Sequence, residues 1–280
     1  GSPHGGVFLD IAWIKERLPK AAEHIKRKLP SMYHQFKQLA DIDITKEPME
    51  VGPTTHYMMG GVRVDGDSQM SSVPGLFAAG EVAAGLHGAN RLGGNSLSDL
   101  IVFGKRAGQY AAEFAKNYGS PTVDQAQVDA AAKAALAPFD RDAAGENPYQ
   151  LQHELQDKMQ ALVGIVRTES EMKEALEVIA GLSARAVNVG VAGHRQYNNG
   201  WHTAMDLPNM LVVSEAITRA AILRKESRGA QFRDDFPEKS AEWGKVNIIV
   251  KRESTGEMSI EERPIPPLPA ELKQVIEEMK

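Results

Sequence analysis

The stretch His87-Gly88-Ala89-Asn90-Arg91-Leu92-Gly93-Gly94-Asn95-Ser96-Leu97 decides how the rest of the chain is read. Its glycines let a backbone approach a ligand closely and turn through positive φ. Beyond them, the residues from Ser96 to about Tyr118 predict a helix. Ser96 is placed to cap it, with Asp99 three residues on in a capping-box pattern. The free N–H groups and dipole of such a helix start favour negative charge. Gly104, Ala107, Gly108 and Ala111 give the helix a small-residue face. Glycine in a helix costs about 1 kcal/mol relative to alanine, so that face implies close approach to a sheet or a ligand. Arg91 lies in the tight part of the loop, where a guanidinium has little to pack against. Its planar fork suits a carboxylate.

Working outward toward the amino terminus, residues 50–82 predict β structure. Val62-Arg63-Val64 leads into Asp65-Gly66-Asp67, a hairpin-type turn. Leu76-Phe77-Ala78-Ala79 is a short apolar run closed by Gly80, which fits a buried strand. Glu81 follows directly, a common place for a carboxylate that accepts hydrogen bonds from hydroxyls. Earlier still, Ile11 to Lys28 is rich in helix formers, and Pro30 is expected to end that helix.

Toward the carboxy terminus, residues 123–226 read as helical. Leu155, Met159, Leu162, Val163 and Val166 recur at helical spacing, as do Met172, Leu176, Ile179 and Leu182. Two antiparallel helices joined at Thr168-Glu169 and a third from about Asn209 to Arg224 make a small bundle. His194 and His202 flank Asn198-Asn199-Gly200, which is expected to be a surface turn rather than a metal site. Val246 to Lys251 and Met258 to Glu262 read as strands around Ser254-Thr255-Gly256, and a short helix closes the chain.

Composition narrows the function. Over 280 residues, 32 basic and 37 acidic side chains leave a formal charge of −5, which argues against nucleic acid as the main partner. A length of 280 residues suggests two domains at about 150 residues each. There is no cysteine, so the chain supplies no thiolate to an iron–sulfur cluster or a zinc site. No apolar run approaches the ~20 residues of a membrane span. Gly1 to Gly6 has neither a basic nor an apolar signal region and reads as an internal stretch rather than a natural start.

Taken together, His56-Tyr57-Met58-Met59-Gly60-Gly61, Gly80-Glu81 and His87 to Leu97 resemble the succinate dehydrogenase and fumarate reductase flavoprotein family. Glu226-Ser227-Arg228-Gly229-Ala230 with Arg233, Asp235, Phe236 and Pro237 is similar to that family's carboxy-terminal signature. The matches keep their order over roughly residues 1 to 240. The resemblance implies an α+β fold: the end of a capping domain over 1–50 and the last part of an FAD-binding α/β domain over 51–122. A helical domain over 123–230 and a small β-containing tail over 231–280 would follow.

It also implies roles. His56 would hydrogen-bond a carboxylate of succinate or fumarate, and Arg91 would pair with a substrate carboxylate. Glu81 would contact FAD near the ribityl chain, and Asn95, Ser96 and Leu97 would meet the isoalloxazine. A helix start aimed at the flavin would stabilise the negative charge of its reduced form. Electrons would pass to an iron–sulfur subunit, with a membrane anchor placing the assembly on the cytoplasmic face of the cell membrane. The tricarboxylic acid cycle and electron transport are the implied settings.

Some family features are missing from the sequence. There is no G-x-G-x-x-G after a strand, so the usual adenosine-diphosphate site is not here. No residue matches the family's proton-shuttling arginine, so no catalytic residue and no metal ligand is assigned, and the 280 residues alone are expected to be inactive. Gln231 stands where many relatives have a histidine. Arg228 is expected to be structural. Two other readings compete: a related L-aspartate oxidase, disfavoured by Met58-Met59 and Gly93-Gly94, and a non-catalytic interaction module built on the helical bundle.

Overall fold

The computed structural model describes residues 2–52 and 55–278. The chain divides after His56 into two compact units, Gly1–His56 and Tyr57–Lys280.

In the first unit, β1 (Val7–Leu9) pairs antiparallel with β2 (Met49–Val51), Phe8 opposite Glu50. Between them lie α1 (Ala21–Lys28) and α2 (Pro30–Leu39). The single helix expected over Ile11 to Lys28 is therefore broken. Ala12–Glu16 forms a 3-10 turn, and Pro19 cannot continue a helix because it lacks an N–H and clashes with the preceding turn. Pro30 starts α2 rather than ending α1. At the first helical position its missing N–H costs nothing and its fixed φ suits the helix. Ile25, Ile44 and Met49 form the unit's core, with Met32, Tyr33 and Phe36 packed on it.

The second unit opens with irregular backbone. The β structure expected over 50–82 shrinks, beyond β2, to isolated bridges: Val62 with Ala83, Val64 with Ser71 and Met70 with Phe77. Leu76 is half exposed rather than in a buried strand. Among the described residues nothing pairs continuously along this run, and a strand needs such a partner for its N–H and C=O groups. The Asp65 turn does form, with Asp65 Oδ1 accepting from the N–H groups of Asp67 and Ser68 at 3.2 and 2.8 Å.

Helices dominate from there. They are α3 (Asn95–Tyr118), α4 (Gln125–Arg141), α5 (Pro148–Leu162), α6 (Glu169–Ala186) and α7 (Asn199–Leu223). Four have polar caps of the preferred type. Asp124, Asn147, Thr168 and Asn198 each accept a bond from a first-turn N–H of the helix they precede. Asn198-Asn199-Gly200 is thus a helix start, and α7 begins about ten residues earlier than its apolar spacing suggests. Leu151, Leu155, Ile179, Leu182, Leu207 and Leu211 from α5, α6 and α7 share one core. Each such side chain stabilises the fold by about 1.5–3 kcal/mol on burial.

Two short strands, β3 (Val166–Arg167) and β4 (Phe232–Arg233), pair in parallel and bring the carboxy-terminal signature against the bundle. The tail strands form as expected: β5 (Val246–Arg252) pairs antiparallel with β6 (Met258–Pro264), and α8 (Ala270–Glu278) follows.

Candidate functional site

The glycine-rich loop enters α3 through Gly94, whose φ of +83° is the left-handed conformation that glycine alone adopts freely. No side chain caps this helix. Asn95 is its first residue, so Ser96 is already inside the first turn and past the position from which it could cap. The expected capping box is therefore absent. Asp99 turns inward instead: it is only 5% exposed, and its Oδ2 lies 3.1 Å from His87 Nε2. A buried ring nitrogen within reach outcompetes the capping geometry, because a carboxylate out of water needs a polar partner.

At the mouth of α3, Asn95 and Leu97 are exposed and Ser96 is half-buried. The N–H of Asn95 turns back to Leu92 O at 3.1 Å, and that of Leu97 to Gly94 O at 3.3 Å. The helix nevertheless points the positive end of its dipole at the loop.

Glu81 sits in a single 3-10 turn, Gly80–Val82, with its carboxylate accepting the Met58 N–H at 2.9 Å. Val62 N–H donates to Val82 O at 2.7 Å, and Ala84 N–H to Val62 O at 2.9 Å. The Tyr57–Val62 segment thus lies directly on the Gly80–Ala84 segment. Gly61 is required for that approach: a Cβ there would stand 2.1 Å from Val82 O.

Arg91 reaches over Tyr57. Its guanidinium carbon is 4.5 Å from the ring centroid, and Nη1 donates to Leu92 O at 3.1 Å. Its Nε is a buried donor with no hydrogen-bond partner, and Tyr57 Oη is another. Burial pushes the Tyr57 phenol above its usual range, reinforced by the nearby Asp99 and Glu81 carboxylates and opposed by Arg91. His87 meets Tyr57 edge-to-face, with ring centroids 5.3 Å apart. His56 is exposed and ends the first unit.

The carboxy-terminal signature braces the loop. Ala230 N–H donates to Ala89 O at 2.9 Å. Arg228 is structural, as expected: it pairs with Glu226 and donates to Ser240 O at 2.9 Å. Glu226 is fully buried; burial alone would raise its carboxyl, but Arg228, the Ser240 N–H and Arg224 hold it below its usual value. Gln231 Nε2 donates to Arg224 O at 3.0 Å, a local role. Among the described residues no group of three or more His, Cys, Asp or Glu is arranged to hold a metal.

The structure brings Glu81, Arg91, Asn95, Ser96 and Leu97 onto the segments around one loop. Sequence reasoning missed Tyr57, His87 and Asp99 as members of the site. Asp99 carried a signal, being an acid near the start of a helix with a small-residue face, but that signal was read as a cap. Nothing in the local pattern marked Tyr57 or His87 as neighbours of Arg91.

Residues 152–275 match the family described as fumarate reductase flavoprotein C-term, and residues 10–97 match the FAD binding domain. The fumarate reductase flavoprotein subunit of Mycobacterium tuberculosis is 34% identical over 94% of this chain and 46% of its own length. The succinate dehydrogenase flavoprotein subunit of Coxiella burnetii is 35% identical over 88% of this chain and 44% of its own length. Mycobacterium smegmatis Sdh1 in complex with UQ1 superposes with a TM-score of 0.85 at 50% identity, covering 99% of this chain and 46% of that one. Escherichia coli quinol fumarate reductase FrdA superposes with a TM-score of 0.85 at 32% identity, covering 96% and 46%. The chain thus spans under half the length of the relatives it matches. With this fold, these motifs and these matches, the chain is similar to the flavoprotein subunits of succinate dehydrogenase and fumarate reductase over the part of them that it spans.

Proposed function

We propose that this chain is part of an FAD-dependent oxidoreductase that interconverts succinate and fumarate, and that Arg91 holds a carboxylate of the substrate. The observation that carries the reading is the buried, unpartnered Nε of Arg91 beside the helix start of α3. An unsatisfied buried donor costs about 1–3 kcal/mol, and a dicarboxylate would satisfy it. The Arg91 fork would grip one carboxylate, and family resemblance assigns His56 to a carboxylate as well. Clamping a small diacid supplies orientation, a recognised part of the barrier.

The residues fit a flavin. Gly60, Gly85, Gly88, Gly93 and Gly94 have open space where a Cβ would stand. Glu81 would hold the ribityl chain, and Asn95, Ser96 and Leu97 would line the isoalloxazine at the positive end of α3. FAD, when bound, would supply the two-electron acceptor for oxidation of a succinate CH–CH bond, with a proton lost from the carbon next to the one that gives the hydride. This chain assigns no residue to that proton.

With no cysteine, this chain provides no thiolate for the one-electron carriers; an iron–sulfur subunit would receive the electrons. Among the described residues no helix is long and apolar enough to cross a membrane. Attachment to the cytoplasmic face of a membrane would, in this reading, run through an anchor subunit.

The test is Arg91→Lys in the flavin-loaded subunit that contains this chain. Lysine keeps the charge but not the bidentate fork. Turnover should fall at least about tenfold with FAD retained, since a charged hydrogen bond contributes about 1.5–3 kcal/mol and 1.4 kcal/mol is a factor of ten. Full turnover in that variant refutes the assignment.

A further inference from the structure

Arg91 is a long side chain at a loop, and holding such a chain ready for a ligand costs rotamer entropy. The second unit contains a row of contacts that leads to it. Asp99, five residues into α3, is buried and lies 3.1 Å from His87 Nε2. The His87 side chain is itself only 9% exposed and presents its edge to Tyr57 at an interplanar angle of 85°. The face of Tyr57 then carries the Arg91 guanidinium at 4.5 Å. The backbone on the carboxyl side of Tyr57 is tied separately, by the Met58 N–H to Glu81.

Each contact has a stated physical role. A buried carboxylate tolerates few positions because it must keep its polar partner. A ring bonded through one nitrogen has its plane and tautomer set by that bond. Edge-to-face aromatic pairs and cation–π contacts are directional. Arg91 Nε has no hydrogen-bond partner and Nη1 is tied to Leu92 O at 3.1 Å, so the face of Tyr57 is left to set the plane of the guanidinium.

We propose that Asp99 and His87 are positioning residues for Arg91, acting through the ring of Tyr57. The proposal rests on the reading of Arg91 as the carboxylate ligand, and it adds where the precision of that ligand comes from: the rigid first turns of α3. Pre-organising the guanidinium lowers the ordering cost when the carboxylate binds.

The experiment reads Arg91 directly, without ligand, in the whole 280-residue chain labelled for NMR. The Nε–H resonance of Arg91 is assigned by its disappearance in Arg91→Lys. In the unaltered chain it should be displaced upfield by the Tyr57 ring and lose that displacement in Tyr57→Leu. Asp99→Leu removes the anchor of His87, and the upfield displacement should vanish while the far-ultraviolet circular dichroism stays the same. If leaving His87 unpaired unfolds Asp99→Leu, the double variant Asp99→Leu/His87→Leu replaces both polar partners together, which is nearly neutral for folding. The displacement should vanish there too. An Arg91 resonance unmoved in the folded double variant overturns the proposal. That failure is separable from failure of the carboxylate reading, which shows instead as full turnover in Arg91→Lys.

Discussion

Gly229 carries a demand that no other amino acid meets. Its φ is +61°, and a Cβ there would stand 2.3 Å from Ala89 O, in the same place where Ala230 N–H bonds that carbonyl. Gly229→Ala should therefore destabilise the protein by about 1–3 kcal/mol, read as a lower urea midpoint with an unchanged slope. Because Ala89 is two residues from Arg91, dicarboxylate turnover in the flavin-loaded subunit should fall as well. Unchanged stability would mean the loop shifts freely, and the brace would lose its meaning. At this scale the sequence was half legible. Arg91 stood out as a planar cation in a tight glycine loop, but its stacking on Tyr57 did not. Asp99 could not be picked out, because an acid near a helix start is equally consistent with a cap, and only the position of His87 decides between them.

Arg233 and Asp235 tie helix ends together. Arg233 is fully buried and donates to Ala221 O and Ile222 O at 2.7 and 3.2 Å, satisfying carbonyls at the end of α7. Its fork also grips Asp235 with two bonds of 2.7 Å. Asp235 in turn accepts the Glu169 N–H at the start of α6 at 2.9 Å. The Arg233 guanidinium holds the Asp235 carboxyl down at about 2, below the 3.8 of an ordinary aspartate. A depressed carboxyl contributes stability that is present above pH 3.8 and is lost as pH falls toward 2. Asp235→Asn should lower stability at neutral pH by roughly 2 kcal/mol and flatten the acid limb of a stability–pH profile between about pH 4 and 2. An acid limb as steep as that of the unaltered chain would remove Asp235 as its source. In the bundle core, Leu207 is 1% exposed, and Leu207→Ala should cost about 2–5 kcal/mol in chemical denaturation. The helices themselves were readable from apolar spacing and capping residues. Their ends were less so: Pro30 stops one helix as readily as it starts another, and α7 begins before its apolar stripe does.

For the molecule as a whole, the segments proposed to meet the flavin are present but no G-x-G-x-x-G pyrophosphate cradle accompanies them. The adenosine half of FAD contributes much of a dinucleotide's anchoring, so the 280 residues purified alone should lose flavin on dialysis and show no visible absorption. A retained yellow colour would mean that the loop, Glu81 and the α3 start suffice. The order of the segments along the chain was legible because each motif keeps its composition wherever it folds. The division after His56 lies six residues beyond the boundary expected after residue 50, because the end of a compact unit depends on which side chains pack together.

The sequence by itself carried the family resemblance and determined the bundle. Glycine spacing, the charged residues within it and a 3.6-residue apolar period are local properties, and local physical chemistry is enough to express them. It also determined the tail hairpin, whose two strands flank a Ser254-Thr255-Gly256 turn. Only the tertiary structure decided that residues 62–83 form isolated bridges instead of the strands expected there, since a strand exists only with a neighbour to bond. Only it decided that Asp99 faces His87 rather than the end of its own helix, and that Tyr57 lies under Arg91. Those pairings join residues 12 to 34 positions apart in sequence, and their partners are chosen by burial, where an unpaired polar group costs most.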